Sequence, residues 1–374
     1  MNILLTNATD IFAGGEDYVL ILAKYLGLRG HTVSVSALPG HLLLDKCAAA
    51  GIPAIPIDYR GMDRVFAVAS ELRKELRGRG IDIVHSNANY DRTVAALAAA
   101  WTPARHVAGV HSTHSIQHNI THWLRNRWGI DHFITDADAG KQVLITEDHV
   151  PAARITTVPI GIEDEPEEER RAARRTTRER LGVAYDTVVI GNVARLVPFK
   201  GHRVLLDAVA RVVAASPGVL FPIIGDGELL EPLQEQAHTL GITPYVRFLG
   251  FQDDLHLWYP AFDIYCHSSL ELAAEMFPIA ILRALATGLP VVCTNVGGIA
   301  NMVREGTSGF LVSPEDPAAL AHALLTLILD GDRRRSMGGA SARLFHEHYH
   351  ATAMAEKIEQ VYRTVLATGT PKER

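Results

Sequence analysis

Short apolar segments alternate with helical patterns along almost the whole chain, and this alternation limits the folds open to it. Strands are predicted at residues 3–6, 32–37, 83–86, 106–110, 132–135, 188–193, 220–224, 246–249, 264–267, 291–294 and 309–312. Helices are predicted at residues 18–29, 64–77, 93–100, 280–287 and 317–366, and from residues 138 and 299 onward. Such alternation indicates βαβ units around parallel sheets, with functional loops at the carboxyl ends of the strands.

The alternation pauses between residues 159 and 180, where an acidic run precedes a basic run. This order suits the dipole of a solvated helix. The pause divides the 374 residues into two α/β domains, a division that fits the usual size of domains. We expect two Rossmann-like, doubly wound domains, at residues 1–164 and 165–350, and a C-terminal helix at 351–374 that crosses back to the first domain. A central cleft between the two domains is the expected place for a ligand.

Composition excludes several classes of protein. The net charge is -6 and no basic tract stands out, so sequence-independent binding of nucleic acid is not expected. The cysteines Cys47, Cys266 and Cys293 form no CxxC pair, which argues against a disulfide framework or a thiolate zinc site. The chain opens directly into a strand without the features of a signal peptide. Together these features predict a cytoplasmic protein.

Two cations fall in one strand-to-helix loop of the second half. Arg195 follows a predicted strand, and Lys200 precedes a helix. Cations placed in this way can hold a diphosphate and stabilise the charge that develops on it as a leaving group. The alternative is a pair of solvated loop cations.

Three further segments lie between strands and helices. Gly225 and Asp226 follow a strand, where glycine permits close approach of the backbone, although Asp226 is equally well explained as a helix cap. Glu275 lies just before a helix whose free amides could bind oxygen atoms of a ligand. Gly297 and Gly298 form a second glycine pair before a predicted helix and a second candidate anion nest.

The order of these motifs resembles the retaining glycosyltransferase family 4, which has the GT-B fold. The resemblance rests on Arg195…Lys200-Gly201, Gly225-Asp226-Gly227, Glu275-x-Phe277, Gly288-x-Pro290-Val291-Val292 and Val296-Gly297-Gly298. It covers essentially all of the second half, and the set is more specific than any single glycine motif. It implies an acceptor-binding first domain and a second domain that binds a nucleotide sugar. The first half matches more loosely, through Gly14-Gly15-Glu16 and His111.

The resemblance also implies an activity and a set of site residues. The catalytic residues are then His111, Arg195, Lys200 and Glu275. The sugar donor is held by Gly14, Gly15, Arg195, Lys200, Gly225, Asp226, Phe251, Glu275, Phe277, Pro278, Ile279, Arg283, Gly297 and Gly298. The implied reaction moves a sugar from a nucleoside diphosphate, with UDP as the expected nucleotide, to a hydroxyl acceptor with retention. No metal is required, and the leaving diphosphate helps to deprotonate the acceptor, so the protein contributes positioning and electrostatic stabilisation.

Three positions depart from the family pattern, and at one of them Ile160 stands where the family often has an asparagine. Arg283 stands where the family usually has a glutamate that holds the ribose, and arginine has only hydrogen-bond donors. The sugar donor could carry an extra acidic group, another residue could hold the ribose, or the protein could be a catalytically degenerate partner or glycan-binding scaffold. Asp136 stands where a serine is common. Asp136-Ala137-Asp138 also matches a DxD metal motif, but an aspartate capping a helix is the favoured interpretation.

Two segments before the domain boundary have several interpretations. His114, His118 and His122 are spaced by four residues, which would place them on one helix face and could bind zinc, but a polar cleft lining is favoured because no fourth ligand is near. The segment from Trp123 to Trp128 mixes aromatic and basic residues. It is compatible with peripheral contact at the inner face of the membrane, and an ordinary packed helix is the alternative. The sequence does not determine the oligomeric state, the sugar or the acceptor.

Overall fold

The computed structural model describes residues 1–9, 14–111, 114–184, 186–270 and 277–368. Contacts between Cα atoms divide the chain into two compact units. The first domain consists of Met1–Ile162 and the chain from His348 onward, and the second domain is Glu163–Glu347.

A parallel sheet of seven strands forms the centre of the first domain, in the order β3-β2-β1-β4-β5-β6-β7. Its strands are β1 (Asn2–Thr6), β2 (Thr32–Ala37), β3 (Ala54–Pro56), β4 (Ile83–Ser86), β5 (Arg105–Val110), β6 (His132–Thr135) and β7 (Ile155–Thr157). Its helices are α1 (Gly14–Leu28), α2 (Leu42–Ala49), α3 (Val65–Gly78), α4 (Asn89–Ala99), α5 (Ile120–Leu124) and α6 (Asp138–Thr146).

The strands of this sheet are almost completely buried because both faces of the sheet are covered. Ile3, Leu4 and Leu5 have no exposed surface. In the parallel register Val110 of β5 lies beside Thr135 of β6. The residues that directly follow β5 and β6 are therefore neighbours at the carboxyl edge of the sheet.

The C-terminal helix α14 (Ala351–Thr368) belongs to the first domain. The backbone of Ile162 bonds to both Tyr349 and Ala351, and Glu359 of α14 forms an ion pair with Arg29 after α1. The Tyr362 hydroxyl lies 2.7 Å from Nδ1 of His85 in β4. The helix therefore reaches both the outer helix layer and the central sheet.

The second domain has a parallel sheet of six strands, in the order β10-β9-β8-β11-β12-β13. Its strands are β8 (Val188–Val193), β9 (Val219–Ile224), β10 (Val246–Phe248), β11 (Ile264–His267), β12 (Val291–Thr294) and β13 (Gly309–Val312). Its helices are α7 (Glu167–Leu181), α8 (His202–Ala215), α9 (Leu230–Thr239), α10 (Leu255–Trp258), α11 (Ile279–Ala286), α12 (Pro317–Leu329) and α13 (Gly331–His348).

The charged segment before β8 is the helix α7, with acids in its first turn and bases in its last. It ends at Gly182, whose left-handed conformation forms the C-terminal cap. The helix is more than a solvated element, because Arg174 and Arg178 both bond to the carboxylate of Asp263. Asp263 also accepts a hydrogen bond of 2.8 Å from the backbone of Val189, at the start of β8.

Some predicted elements differ from the observed ones. The helix predicted from residue 299 is only the 3-10 turn Ile299–Asn301, and the helical stretch at 317–366 is the three helices α12, α13 and α14. The short elements α2, β3 and β7 were not predicted, since each offers too few residues for a clear periodicity. Among the described helices, none is long and apolar enough to cross a membrane.

Candidate functional site

Arg195 and Lys200 both lie near one aromatic side chain in the loop after β8. The Arg195 guanidinium carbon is 5.8 Å from the centroid of the Phe199 ring, and the Lys200 Nζ is 5.4 Å from the same centroid. Cations at these distances are attracted to the face of a ring. The structure therefore places both predicted cations next to Phe199, which the sequence did not single out.

The loop after β9 supports the loop that carries these cations. The backbone of Leu196 donates to the Asp226 carbonyl at 2.8 Å, and the backbone of Leu229 donates to the Leu196 carbonyl at 3.0 Å. Gly225 has φ 139°, and a Cβ there would lie 2.0 Å from the Ala194 carbonyl oxygen. A side chain at this position would push the two loops apart, so glycine is required by the approach.

The alternative role for Asp226 as a helix cap is wrong. Helix α9 begins at Leu230 with Leu229 at its N-cap, and neither the cap nor the first turn uses Asp226. The Asp226 side chain is exposed and accepts a hydrogen bond of 2.8 Å from the backbone of Gly227. This short loop therefore presents a carboxylate at the carboxyl edge of the sheet.

The loop after β8 that carries Arg195 and Lys200, called the cation loop, is held at its C-terminal end against the segment after β11. Gly201 has φ 68°, and a Cβ there would lie 1.9 Å from the Ser268 carbonyl oxygen. The Ser268 hydroxyl donates to the Lys200 carbonyl at 3.0 Å, and the Leu270 backbone donates to Phe199 at 2.8 Å. Glu275 follows in the same segment but lies outside the described residues.

The remaining predicted residues of the second domain lie at the same edge of its sheet. Phe277 is buried, Pro278 is the N-cap of α11, and Ile279 is its first residue. Gly297 has a positive φ of 54°, and Gly298 is the N-cap of a 3-10 turn. The expectation of a helix N-terminus after this glycine pair is wrong, because the chain makes only the 3-10 turn Ile299–Asn301 there.

Phe251 is an exposed aromatic side chain beside the loop after β9. Its ring side chain is 70% exposed, and the preceding Gly250 accepts a hydrogen bond of 2.9 Å from the backbone of Gly225. An exposed ring held next to a glycine loop is a surface on which a planar group can stack. Phe251 and the Gly225 loop are therefore direct neighbours in the fold.

Arg283 lies in α11 and is half-buried. Burial raises the pKa of the Tyr259 hydroxyl, and the positive charge of Arg283 partly opposes this rise. The guanidinium therefore lies in the vicinity of the Tyr259 hydroxyl. Tyr259 lies in the 3-10 turn Tyr259–Ala261, which precedes β11.

A buried histidine lies beneath the cation loop. His202, the first residue of α8, places Nε2 3.1 Å from the side-chain oxygen of Asn192. The Asn192 side chain in turn donates to the Cys266 carbonyl at 3.0 Å. Burial, with a smaller contribution from the charges of His267 and Lys200, lowers the pKa of His202 to about 4. The sequence analysis did not identify this residue, because nothing in the local pattern distinguishes it from the other histidines.

In the first domain, the predicted glycines lie at the start of α1. Gly14 is the first residue of the helix, and a Cβ at Gly15 would meet open space. Glu16 is buried and accepts a hydrogen bond of 3.1 Å from the Asn7 side chain, which follows β1. The glutamate therefore ties the start of the helix to the end of the strand.

His111 follows β5 and contacts Asp136, which follows β6. The two carboxylate oxygens of Asp136 lie 2.9 and 2.8 Å from Nδ1 of His111. The prediction that an aspartate caps helix α6 is wrong, because Ala137 is the N-cap and makes no side-chain bond. The helix does begin at Asp138, but Asp136 serves the histidine instead.

The histidine and tryptophan segments do not form one regular helix. Helix α5 begins only at Ile120, so the expectation of a shared helical face for His114, His118 and His122 is wrong. The rings of His118 and His122 nevertheless meet at 5.6 Å. Across the chain as far as it is described, no three histidine, cysteine, aspartate or glutamate side chains gather in a way that could hold a metal.

The tryptophans of the same segment lie on the surface of the first domain. The rings of Trp123 and Trp128 meet edge to face at 5.6 Å, and Trp128 lies in a π-helical turn that continues α5. Both remain substantially exposed, as does Ile120. The segment is therefore helical, with Arg125 and Asn126 buried and the two tryptophan rings on the exposed side.

Two family models match the chain, one in each half. The model described as "Glycosyltransferase Family 4" matches residues 12–166. The model described as "Glycosyl transferases group 1" matches residues 187–330. Together they cover the second sheet, all strands of the first sheet except β1, and the loops that carry the predicted residues.

Curated relatives include glycosyltransferases that are named for inositol compounds. A "D-inositol 3-phosphate glycosyltransferase" of Corynebacterium jeikeium is 36% identical over 256 residues, which are 65% of this chain and 60% of that protein. A "Phosphatidyl-myo-inositol mannosyltransferase" of Mycobacterium leprae is 28% identical over 373 residues, covering 96% of each chain. The match to the first of these relatives thus spans less than two thirds of its length.

Solved structures of similar fold cover the whole chain. A glycosyltransferase from Rickettsia africae has a TM-score of 0.87 at 20% identity, over 98% of this chain and 99% of that one. The Anabaena protein HepE, solved in complex with UDP, has a TM-score of 0.83 at 22% identity, over 97% and 100%. With a family model matching each half, the chain belongs to glycosyltransferase family 4 and has the GT-B fold of two Rossmann-like domains.

Proposed function

We propose that the protein transfers a sugar from a nucleoside diphosphate, with retention, to a hydroxyl acceptor. The observation that carries this proposal is the pair Arg195 and Lys200, which both lie beside Phe199 in a loop that is hydrogen-bonded to its neighbours at both ends. Two cations in a fixed loop stabilise the negative charge that grows on a departing diphosphate. They supply this stabilisation without having to reorganise during the reaction.

In the proposed reaction the bond between the sugar carbon and the diphosphate oxygen breaks. A bond from the acceptor oxygen to the same face of that carbon forms, and the acceptor proton passes to a phosphate oxygen of the leaving group. The protein aligns the two substrates and stabilises the leaving group. His111 and Glu275 contact the transferred sugar in this scheme.

The other site residues follow from the same proposal. The exposed ring of Phe251 stacks beside the nucleotide base. The backbones of the glycine-containing loops approach the diphosphate and the sugar, at Gly14, Gly15, Gly225, Asp226, Phe277, Pro278, Ile279, Gly297 and Gly298. UDP is the proposed nucleotide, in line with the structure of HepE with UDP. The two cations take the place of a metal.

Thermal unfolding with added nucleotides tests the sugar-donor site. A ligand that binds only the native state raises the unfolding temperature by mass action. We expect UDP to raise it more than GDP or ADP, and Lys200→Ala to abolish the rise. Arg203→Ala, in the exposed part of the next helix, is the matched control and should keep it. A protein that responds to no nucleotide would instead support the degenerate, non-catalytic alternative.

Arg283 takes a role outside ribose binding in this proposal. The Arg283 guanidinium is close enough to the Tyr259 hydroxyl to influence its pKa, and we propose that it points toward this residue rather than toward a ribose. Arg283→Glu should change the Kd for UDP by less than about threefold, because another group holds the ribose. A threefold change in Kd corresponds to a smaller free energy than an ordinary hydrogen bond contributes. A large gain in affinity on restoring the glutamate would show that Arg283 weakens the ribose site.

The acceptor is proposed to be a cyclic polyol of the inositol class. The two curated relatives share this word in their names. Turnover of UDP-glucose, UDP-N-acetylglucosamine and GDP-mannose should be measured with myo-inositol, inositol 3-phosphate and phosphatidylinositol vesicles as acceptors. Product formation with none of the three acceptors, while UDP still binds, would remove the inositol class and leave the sugar-donor site intact.

The segment from Trp123 to Trp128 is proposed to rest on a membrane surface. Exposed Ile120, Trp123 and Trp128 provide apolar contact, and Arg127 adds positive charge. Amphipathic surfaces of this kind bind anionic bilayers. The protein should float with vesicles containing phosphatidylglycerol, and Trp123→Ser with Trp128→Ser should abolish flotation. Equal flotation of the double variant would contradict this role.

A further inference from the structure

A cavity within the second domain concentrates positive charge. Its volume is about 330 Å³, and sites for small molecules usually measure about 300 to 1,000 Å³. Five arginines of α7 and α13 contribute to its lining, namely Arg170, Arg171, Arg174, Arg334 and Arg335. The acidic residues of the lining are Glu167 and Asp263. We call this space the arginine cavity.

The arginine cavity lies at the edge of the sheet opposite to the cation loop. Its lining includes Asp263, which directly precedes β11, and Pro290, which directly precedes β12. These two strands are parallel neighbours, so the residues that precede them lie together at the amino edge of the sheet. The cation loop follows β8 and lies at the carboxyl edge. The cavity is therefore separate from the proposed sugar-donor site.

Both acidic side chains of the cavity already have arginine partners. Glu167 forms an ion pair with Arg171 one turn along α7. Asp263 lies 2.6 Å from a nitrogen of Arg174 and 3.0 Å from one of Arg178. The two carboxylates are thus neutralised without the remaining arginines of the lining.

Arg170 and Arg334 are held by backbone carbonyls instead of carboxylates. Nη1 of Arg170 donates to the carbonyl of Ala286, the last residue of α11, at 2.9 Å. Nη1 of Arg334 donates to the carbonyls of Leu327 and Ile328, near the end of α12, at 2.6 and 3.1 Å. Within the described residues of this domain, neither arginine forms an ion pair. Their positions are therefore fixed while their charges remain uncompensated.

The capping of helix ends does not exhaust these two guanidinium groups. The C-terminus of a helix carries only about half of a negative charge, so each arginine keeps much of its positive field. Each guanidinium has five N–H donors, and the carbonyl bonds of Arg170 and of Arg334 come from one nitrogen of each. The other donors can serve a ligand in the cavity.

Two fixed guanidinium groups are complementary to one phosphate group. A phosphate monoester carries about -1.5 to -2 charges near neutral pH and offers three strong acceptor oxygens, and planar guanidinium groups bind phosphate in bidentate fashion. A carboxylate would compensate only one of the two arginines. We propose that the arginine cavity binds a phosphate group, with Arg170 and Arg334 as its main ligands. This site goes beyond the proposed transfer reaction and does not depend on it.

Thermal unfolding with added inorganic phosphate or glycerol 3-phosphate tests the site. The measurements are made in Lys200→Ala, because phosphates would also bind the proposed sugar-donor site. We expect a saturable rise in the unfolding temperature, and no such rise with sodium chloride at the same ionic strength. Phosphate also stabilises proteins without binding to a site, so the comparison between variants decides the result.

Arg170→Gln combined with Arg334→Gln should abolish the saturable rise, measured from that variant's own unfolding temperature. Arg335→Glu serves if the double variant does not fold, since Arg335 pairs only with the exposed Asp332. It should raise the Kd about tenfold, because it reverses one charge of the lining. Arg175→Glu, at an exposed position of α7 outside the lining, is the charge-matched control and should change the Kd less than about twofold. An unchanged Kd in Arg335→Glu, or an equal rise with sodium chloride, would overturn the proposal.

Vesicles of phosphatidic acid distinguish a lipid head group from a soluble phosphate compound. They are mixed with Trp123→Ser/Trp128→Ser, which lacks the proposed membrane contact of the first domain. Flotation that disappears when Arg170→Gln and Arg334→Gln are added would identify a lipid head group as the ligand. Absence of flotation, together with a response to glycerol 3-phosphate, would identify a soluble ligand.

The response to UDP separates this proposal from the transfer reaction. With Lys200 intact, the Arg170→Gln/Arg334→Gln protein should keep the rise in unfolding temperature that UDP produces, because the two sites lie at opposite edges of the sheet. A protein that responds to glycerol 3-phosphate through the arginine cavity, but not to UDP, would reject the sugar-donor site and leave the phosphate site standing.

Discussion

Single glycines set how closely the loops of the second domain approach each other. Gly201 and Gly225 both have positive φ angles and both face a carbonyl oxygen at a distance that admits no Cβ. The sequence analysis identified these glycines as parts of motifs. It could not show which carbonyl each one faces, because the partners lie in other strand-end loops of the sheet.

Gly225→Ala should destabilise the second domain. The substitution combines an unfavourable φ with a Cβ 2.0 Å from the Ala194 carbonyl oxygen, so we expect a loss of about 2–4 kcal/mol in the free energy of unfolding. Denaturation in urea measures this change. Gly218→Ala, where a Cβ would meet no atom within 4 Å, is the control, and equal stability of the two variants would refute the steric explanation.

The histidine at the carboxyl edge of the first sheet shows the limit of local sequence motifs. His111 was identified through the family resemblance, whereas Asp136 was interpreted as a helix cap. The two residues are 25 positions apart, and their contact depends on the pairing of Val110 with Thr135 in neighbouring strands. Local capping rules do not include a histidine that follows the adjacent strand and contacts the buried carboxylate of Asp136.

At the scale of elements, helix α7 is attached to the sheet of the second domain by arginines. Its charge pattern was sufficient to predict the helix and its direction, because acids and bases suit its two ends. The pattern did not predict that Arg174 and Arg178 share Asp263. That contact requires the turn before β11 to lie under the helix, which is a tertiary arrangement.

Asp263→Ala should therefore loosen α7. Two arginines and the backbone of Val189 would lose a partly buried acceptor, and we expect a loss of about 3 kcal/mol, since hydrogen bonds to charged groups are the strong class. Urea denaturation followed by circular dichroism measures the loss. Asp332→Ala removes only an exposed pair with Arg335 and should change stability by less than about 0.5 kcal/mol. Similar losses in both variants would contradict this role of Asp263.

Helix α14 should be necessary for folding of the first domain. Truncation before Ala351 removes the ion pair of Glu359 with Arg29 and exposes the buried contacts of Tyr362. We expect the shortened protein to lose its cooperative unfolding transition for this domain and to be cleaved rapidly by trypsin. Removal of residues 369–374 alone leaves all of these contacts in place and should not have this effect. A truncated protein as resistant as the full chain would show that α14 is dispensable.

At the scale of the whole molecule, buried histidines make stability depend on pH. The pKa of His202 is about 4 in the folded state and near 6.5 in an unfolded chain. The unfolded chain therefore binds more protons, and stability falls as the pH decreases from about 6.5 to 4. Burial lowers the pKa of His85 to about 3 and the pKa of His132 to about 4, so both residues act in the same direction in the first domain. Burial raises the pKa of Asp91 to about 6, so this residue acts in the opposite direction in the same domain.

We expect His202 to contribute a loss of about 3 kcal/mol between pH 7 and pH 4, since one pKa unit corresponds to about 1.4 kcal/mol. Urea denaturation at pH 7, 5.5 and 4 should show a shallower decline for His202→Gln than for the unmodified protein. His256→Gln, at an exposed position, is the control and should follow the unmodified curve. An unchanged slope in His202→Gln would contradict the assignment.

The sequence by itself determined the two parallel sheets, most of their strands, and the residues at the carboxyl ends of β8 and β5. These features are determined locally, since buried strands, helical periodicity and strand-end loops leave their pattern in a few consecutive residues. The tertiary structure decided which of those residues meet. Gly201 faces the Ser268 carbonyl and Asp136 contacts His111, because parallel strands bring together the residues that follow them, however far apart they are in the chain.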